Sequence, residues 1–555
     1  MKHEALHNAP LAASGLHDTF ARDNLPASED WPVLDVSAPQ YRFATRINCA
    51  HELLRAALDA GLGARPALIA PQQTLTYATL ESRSNQIAQA LAKLPGFISG
   101  QRVLVRGPNN PQFVACWLGI IKAGGIAVAT MPLLRARELT SIVDAADVAL
   151  ALCDERWLGE LENAVSAAQR NARIIAFDGT ATSGAELESL TARAPTTFKP
   201  VDTAADDVAL IAFTSGTTGK PKGTMHFHRD VLAICNGLPR HCLDASSSDR
   251  FIGSPPLAFT FGLGGLALFP LSVGGAGILL EEAGPSALAA GIERFAATVC
   301  FTAPTAYRAM LASPAGLKLE SLRCSISAGE TLPAATFEAW QDLTGLASVD
   351  ALGSTELLHA FVASRPARMR AGYTGEVLAG YTARVVDDAM QPVAPGEPGH
   401  LAVKGPTGCR YLNDARQREY VRDGWNLTGD TYAVDESGYF RFVARCDDMI
   451  ISAGYNIAGP EVETALMAHA AVHECAVVGV PDAHRGQLVQ AYVVVHPGMR
   501  ADTHLSAALQ NHVKQMIAPY KYPRRITFIE ALPRTETGKV QRFRLRGMDD
   551  ISQVD

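Results

Sequence analysis

Val208-Ala-Leu-Ile-Ala-Phe213 runs directly into Thr214-Ser-Gly-Thr-Thr-Gly-Lys-Pro-Lys-Gly223. The first six residues are apolar without alternation, the pattern of a strand buried on both faces, as in a parallel sheet. The next ten hold three glycines, four hydroxyl residues and two lysines. Glycines let backbone N–H groups close on an anion, hydroxyls add donors, and lysine adds charge, a combination suited to a polyphosphate. The spacing is not that of a Walker loop, because G-x-x-x-x-G-K-[ST] is absent.

Strands and helices alternate on either side of this stretch. Upstream, Leu80, Ile87, Leu91 and Leu94 share a helical face behind Thr76 as N-cap, and Val103-Leu104-Val105 reads as a buried strand. Asn110-Pro111 then starts a helix with Phe113, Trp117, Ile120 and Ile121 on one face. Downstream, the alternation continues to Leu352, and a region of short strands and turns follows from Thr374 to Phe442. After Asp447 come a helix begun at Pro460, strands at 476–480 and 491–495, a helix at 505–516 and a strand at 525–529. Residues 1 to about 48 read as an irregular arm. The fold expected is α/β: a large N-terminal domain (1–446) of doubly wound sheets with a small barrel-like subdomain, and an α+β C-terminal domain (447–555).

Composition narrows the function. The 555 residues carry a net charge of −7, with no basic footprint for nucleic acid. The ten cysteines are scattered singly without a C-x-x-C pair, so reduced thiols in a cytoplasmic protein are expected, not a zinc or disulfide framework. His226 and His228 form an H-x-H, but no acidic or cysteine cluster accompanies them, and a metal role is set aside. The first residues lack the apolar core of a signal peptide. From Phe251 to Leu280 the chain has no charge and imitates a membrane span, yet seven glycines and three prolines break it into buried strands, loops and a short helix. Gly262-Leu-Gly264-Gly-Leu-Ala267 satisfies G-x-G-x-x-A without the strand–helix setting of a dinucleotide site, and is discounted.

Thr214–Gly223 resembles the phosphate loop of the adenylate-forming superfamily, which includes acyl- and aryl-CoA synthetases, peptide-synthetase adenylation domains and luciferases. Four further segments resemble its motifs in order: Leu352-Gly-Ser-Thr-Glu356, Thr428-Gly-Asp430, Arg445-Cys-Asp-Asp-Met-Ile450 and Pro533-Arg-Thr-Glu-Thr-Gly-Lys539. The likeness spans roughly residues 50 to 547 and implies activation of a carboxylic acid by ATP, followed by transfer to coenzyme A.

That resemblance implies the following roles. Thr214, Ser215, Gly216, Thr217, Thr218, Gly219 and Lys222 cradle phosphates. Gly353, Ser354 and Thr355 face the nucleotide, and Glu356 holds Mg²⁺, a hard cation that takes oxygen ligands. Ala328, Gly329, Glu330 and Asp350 line the adenine slot, where Leu352 replaces an aromatic residue found in many members. Asp430 accepts from the ribose hydroxyls, and Arg445 reaches ribose and phosphate. Lys539, with Thr214 and Glu356, serves the first step by bridging carboxylate and α-phosphate. The C-terminal domain swings about Asp447, and the Gly454–Tyr455 loop then admits the pantetheine arm of coenzyme A.

Within the superfamily, Gly223–Asp230, Leu257–Gly262, Ser354–His359 and Val540–Arg546 look most like benzoate- and 2-aminobenzoate-CoA ligases. By that likeness Thr260, Phe261, Gly262, Gly353 and His359 line the acid pocket, and the expected partners are an aryl carboxylate, ATP and coenzyme A. Monomer and homodimer both remain open. Two alternatives stand beside this reading: a medium-chain fatty acyl-CoA synthetase, and a stand-alone adenylation enzyme loading a carrier protein.

Overall fold

The apolar run of Val208–Phe213 becomes the strand Val208–Thr214, inserted between the parallel strand Ile126–Thr130 and an antiparallel partner, Lys222–Phe227. The structure is a computed structural model. It describes residues 11–548 except 180–183, 215–220, 315, 446–447, 453–454, 483–484, 518 and 536–537, with the backbone alone at 451, 455, 456 and 486.

The chain forms two compact units, Met1–Ala383 with Val403–Leu427, and Arg384–Ala402 with Thr428–Asp555. Among the described residues, the first unit holds a six-stranded sheet in the order Arg173–Phe177, Leu150–Asp154, Arg102–Arg106, Ile126–Thr130, Val208–Thr214, Lys222–Phe227. It is parallel up to the final hairpin. Leu104, Val128 and Ala151 pack on one face against Ile142, Val143 and Leu161 of the helices Ala136–Ala145 and Leu158–Ala167. The helix Pro111–Lys122 also packs on these strands, so both faces are covered. Its expected apolar face is only part of the picture: every residue from Pro111 to Lys122 is buried. Lys122 survives there because its ammonium donates to Glu81, Ser84 and Asn85.

The second sheet runs Val349–Asp350, Cys324–Ser327, Val299–Thr302, Arg250–Gly253, Ala276–Ile278, Pro66–Ile69, Thr74–Thr76, parallel apart from the last pair. The caps read from sequence are present: Thr76 accepts from the Thr79 N–H and Asn110 from the Phe113 N–H. The span imitation of 251–280 is broken as expected, into the strand Arg250–Gly253, the helices Thr260–Leu263 and Phe269–Val273 joined by a π-turn, and the strand Ala276–Ile278. Among the described residues no helix is long and apolar enough to cross a membrane.

In the second unit, the strands Val472–Asp482 and Gly486–Val495 form a long antiparallel hairpin, with Arg525–Phe528 parallel to the latter. The helices Gly459–Met467 and Thr503–Met516 bury Val462, Leu466, Leu509 and Val513 against Val477, Val489 and Val493. The helix Arg542–Met548 places Leu545 on the opposite face, against Val478 and Tyr492. This unit therefore has a core of its own.

Candidate active site

Thr214 and Lys222 face each other across the last hairpin, on either side of the segment expected to bind phosphate. Ser215, Gly216, Thr217, Thr218 and Gly219 lie outside the described residues. A third segment runs beside the hairpin: the Met225 N–H donates to the Arg410 carbonyl and the Leu412 N–H to that of Gly223, both at 2.8 Å. This places Tyr411 beside the hairpin, with the Lys222 ammonium 5.3 Å from its ring centre.

Tyr411 is buried, and its hydroxyl donates to Glu356 Oε1 at 2.6 Å. Burial, reinforced by the Glu356 charge, raises the phenol far above its ordinary pKa, so it stays protonated as a donor. The neighbouring Ser354 Oγ is 3.2 Å from the Tyr420 hydroxyl, and Tyr420 packs edge-on against Tyr411. His226 Nε2 lies 2.8 Å from the Thr355 carbonyl. Burial lowers the His226 pKa to about 4 and keeps the ring neutral. The Gly353–Glu356 segment is thus gripped by residues from two distant parts of the chain, around 226 and 411–420.

Backbone beyond the parallel strands supplies the remaining wall, at the carboxyl edge where α/β sheets bind ligands. Ala328, Gly329 and Glu330 follow Cys324–Ser327 directly, and the Ala328 N–H donates to the Thr302 carbonyl. Asp350 ends the adjacent strand, buried, with hydrogen bonds from the Leu332 backbone and the Thr374 hydroxyl. Burial outweighs both bonds and raises its pKa to about 8. Leu352 pairs with Val362 and is half-buried.

The acid-pocket candidates gather around one aromatic cluster. His359 packs edge-on against Phe269 at 4.5 Å and lies 5.8 Å from Phe261, which is 5.6 Å from Phe301. Thr260 and Gly262 are buried on the same short helix, and Gly353 pairs with Ala360, next to His359. The discounted G-x-G-x-x-A serves packing: a Cβ on Gly264 would lie 2.3 Å from the His359 ring, and one on Gly265 2.8 Å from that of Phe301. Burial brings the His359 pKa to about 4. Neither ring nitrogen has a hydrogen-bond partner among the described residues, although the Phe261 backbone comes near. Asn109, which sequence reasoning missed, ties this wall to the first sheet by accepting from the Leu257 N–H and donating to the Pro255 carbonyl.

The second unit brings together Asp430, Arg445 and Lys539. Asp430 and Arg445 are opposite each other on antiparallel strands, and Arg445 Nη1 donates to Asp430 Oδ1 at 3.0 Å. Burial raises the Asp430 pKa, opposed by Arg445, the Thr428 hydroxyl and the Lys539 charge. Lys539 closes a tight turn. Its N–H donates to Thr535 Oγ1 and its carbonyl accepts from the Thr535 N–H, while Gly538 takes a φ of +86° that favours glycine. Arg534 braces the turn through the Gly538 carbonyl and Glu474. Asp447 and Gly454 lie outside the described residues. Tyr455 is described in backbone only, starting the strand Tyr455–Ala458 that pairs with Met449–Ser452.

Among the described residues no group of three or more His, Cys, Asp or Glu side chains is arranged for a metal ion. Glu356 has one carboxylate oxygen engaged by Tyr411, leaving the other for a ligand. That donor set fits Mg²⁺, which is held by one or two carboxylates plus substrate phosphates and not by an all-protein cage.

Residues 56–411 match the family model of the AMP-binding enzymes, and 461–539 match that of the AMP-binding enzyme C-terminal domain. A benzoate–CoA ligase of Thauera aromatica is 33% identical over 514 residues, covering 92% of this chain and 97% of that one. Among solved structures, the anthranilate CoA ligase AuaEII in complex with anthranoyl-AMP superposes with a TM-score of 0.85 at 32% identity, covering 92% of this chain and 98% of its own. A benzoate CoA ligase from Burkholderia xenovorans LB400 follows with a TM-score of 0.82 at 31% identity, covering 90% and 100%.

Proposed function

Because the chain belongs to the AMP-binding enzyme family, we propose that it is an ATP-dependent aryl-carboxylate–CoA ligase acting on 2-aminobenzoate or benzoate. The observation that carries the acid class is the aromatic cluster of Phe261, Phe269, Phe301 and His359, next to the Gly353–Glu356 segment. A flat ring suits such walls, since aromatic pairs favour edge-on and offset contacts.

In the first half-reaction a carboxylate oxygen attacks the α-phosphorus of ATP, the aryl-adenylate forms and pyrophosphate leaves. Two anions meet in that step. Lys539, carried on its braced turn, neutralises and aligns them, while Lys222 and the hydroxyls and N–H groups from Thr214 onward hold the phosphates. Asp430 accepts from the ribose hydroxyls, with Arg445 fixing its carboxylate. Glu356 would hold Mg²⁺, which would supply neutralisation of the negative charge on the polyphosphate.

In the second half-reaction the thiol of coenzyme A attacks the acyl carbon and AMP leaves. We assign its access to Gly454 and Tyr455, and the change between steps to rotation of the C-terminal domain (447–555) at Asp447. Pyrophosphate release measured across aryl and alkyl acids, with and without coenzyme A, tests the proposal. Release with 2-aminobenzoate or benzoate, and weak release with alkyl acids, is the expected outcome. Preference for a medium-chain alkyl acid would refute it.

A further inference from the structure

The H-x-H of His226 and His228 belongs to no cluster of metal ligands among the described residues, yet both rings are buried, which asks for another explanation. His228 Nδ1 accepts from the Cys49 N–H at 3.2 Å, on the helix Cys49–Asp59. His226 meets the Thr355 carbonyl, in the segment that ends at Glu356 and 129 residues along the chain.

A carbonyl oxygen only accepts, so His226 Nε2 carries the proton and Nδ1 is bare. That bare nitrogen has no hydrogen-bond partner among the described residues and lies 3.9 Å from Asp230 Oδ2. Two electron-rich atoms facing each other in the interior are unfavourable unless a cation offsets them. Arg410 donates to the same Asp230 oxygen at 2.8 Å, with both side chains wholly buried. The Phe227 N–H gives Asp230 a further bond.

Packing alone does not call for this arrangement. Thr355's carbonyl already accepts from the Leu358 N–H at 3.0 Å, so its backbone is satisfied without the ring. A leucine would fill similar space without burying an unpartnered nitrogen, which costs free energy.

We propose that His226 is a positioning residue for acid activation, its N–H holding the Thr355 backbone so that Thr355 and Glu356 stay aligned beside the phosphate-loop stem. Tyr411 fixes the Glu356 carboxylate while His226 fixes the backbone before it. The inference rests on the ligase reading above.

The test uses full-length His226→Leu and His226→Gln. Gln can place an amide N–H near the position of imidazole Nε2, whereas Leu donates nothing. Aryl-acid-dependent ATP–pyrophosphate exchange should fall about 10- to 100-fold in His226→Leu, the scale of a small misplacement of reacting groups. Thioester formation from supplied aryl-adenylate should stay within about twofold, and His226→Gln should recover most of the exchange. A folded Leu variant with wild-type exchange, or with equal loss of both half-reactions, overturns the proposal. Should the Leu variant misfold, ¹⁵N-histidine spectra of the wild type decide, with His226→Gln giving the assignment. An Nε2-protonated His226 supports the contact and an Nδ1-protonated one overturns it. A wild type without exchange removes the ligase reading and this proposal together; an active wild type with an unaffected Leu variant removes the proposal alone.

Discussion

Tyr411 and Glu356, 55 residues apart in the chain, meet through a 2.6 Å hydrogen bond donated by the phenol to Oε1. The bond holds the carboxylate in one orientation, and Glu356 is the residue proposed to hold Mg²⁺. Partners that orient a metal ligand commonly govern metal affinity by about 10- to 100-fold. Tyr411→Phe should therefore raise the Mg²⁺ concentration needed for half-maximal pyrophosphate exchange by about tenfold. An unchanged Mg²⁺ titration would contradict that role.

Lys539 sits on a turn held at four points by Thr535, Gly538 and Arg534. Lys539→Ala keeps that backbone frame and removes only the charge. The variant should lose aryl-adenylate formation by several orders of magnitude while still making thioester from supplied adenylate. Parallel loss of both half-reactions would show that the lysine has another role.

Among the residues proposed to line the acid pocket, His359 is a buried, neutral ring packed against Phe261 and Phe269. A site built around a hydrogen bond discriminates far more strongly than one built on a methylene. His359→Phe should compress the ratio of kcat/KM for 2-aminobenzoate over benzoate by about 10-fold or more. A ratio unaffected by the substitution would place recognition of the ring substituent elsewhere.

Most of the secondary-structure elements are legible in sequence, because period and punctuation are local signals. The uniform apolar run before Thr214, the caps at Thr76 and Asn110 and the Gly and Pro breaks in 251–280 all become what their patterns imply. The strand read at 476–480 is the middle of a longer one, and that read at 491–495 the C-terminal half of another, since pairing with each other extends them through polar residues such as Glu474 and Gln487. What sequence does not reveal is long-range. Nothing near Tyr411 marks it as the partner of Glu356, nothing near Asn109 points to Leu257, and the spacing of His226 and His228 suggests only a metal pair without companions. Such residues carry no local signature because they join segments that only the fold brings together.

The ionisable groups of the first unit make a two-sided pH prediction. His226, His228 and His359 have folded pKa values of about 4 against an ordinary 6.5, so the unfolded chain binds more protons between those values. Their contribution is present above pH 6.5 and is lost as pH falls toward 4. Asp350 runs the other way. Its folded pKa of about 8 exceeds its ordinary 3.8, so the folded chain holds the extra proton and stability falls as pH rises toward 8. Between pH 6.5 and 8 the histidine contribution is flat and that of Asp350 is not. Tm in Asp350→Asn should decline less over that window than in the wild type. Identical Tm profiles would contradict a protonated Asp350.

The central claim is that one active site makes an aryl-adenylate and then an aryl thioester. Its most direct measurement is the stoichiometry of products from ATP, 2-aminobenzoate or benzoate, and coenzyme A. AMP, pyrophosphate and aryl-CoA should form in equal amounts, with enzyme-bound aryl-adenylate accumulating when coenzyme A is omitted. ADP and phosphate as products, or AMP and pyrophosphate without thioester in the presence of coenzyme A, would contradict it.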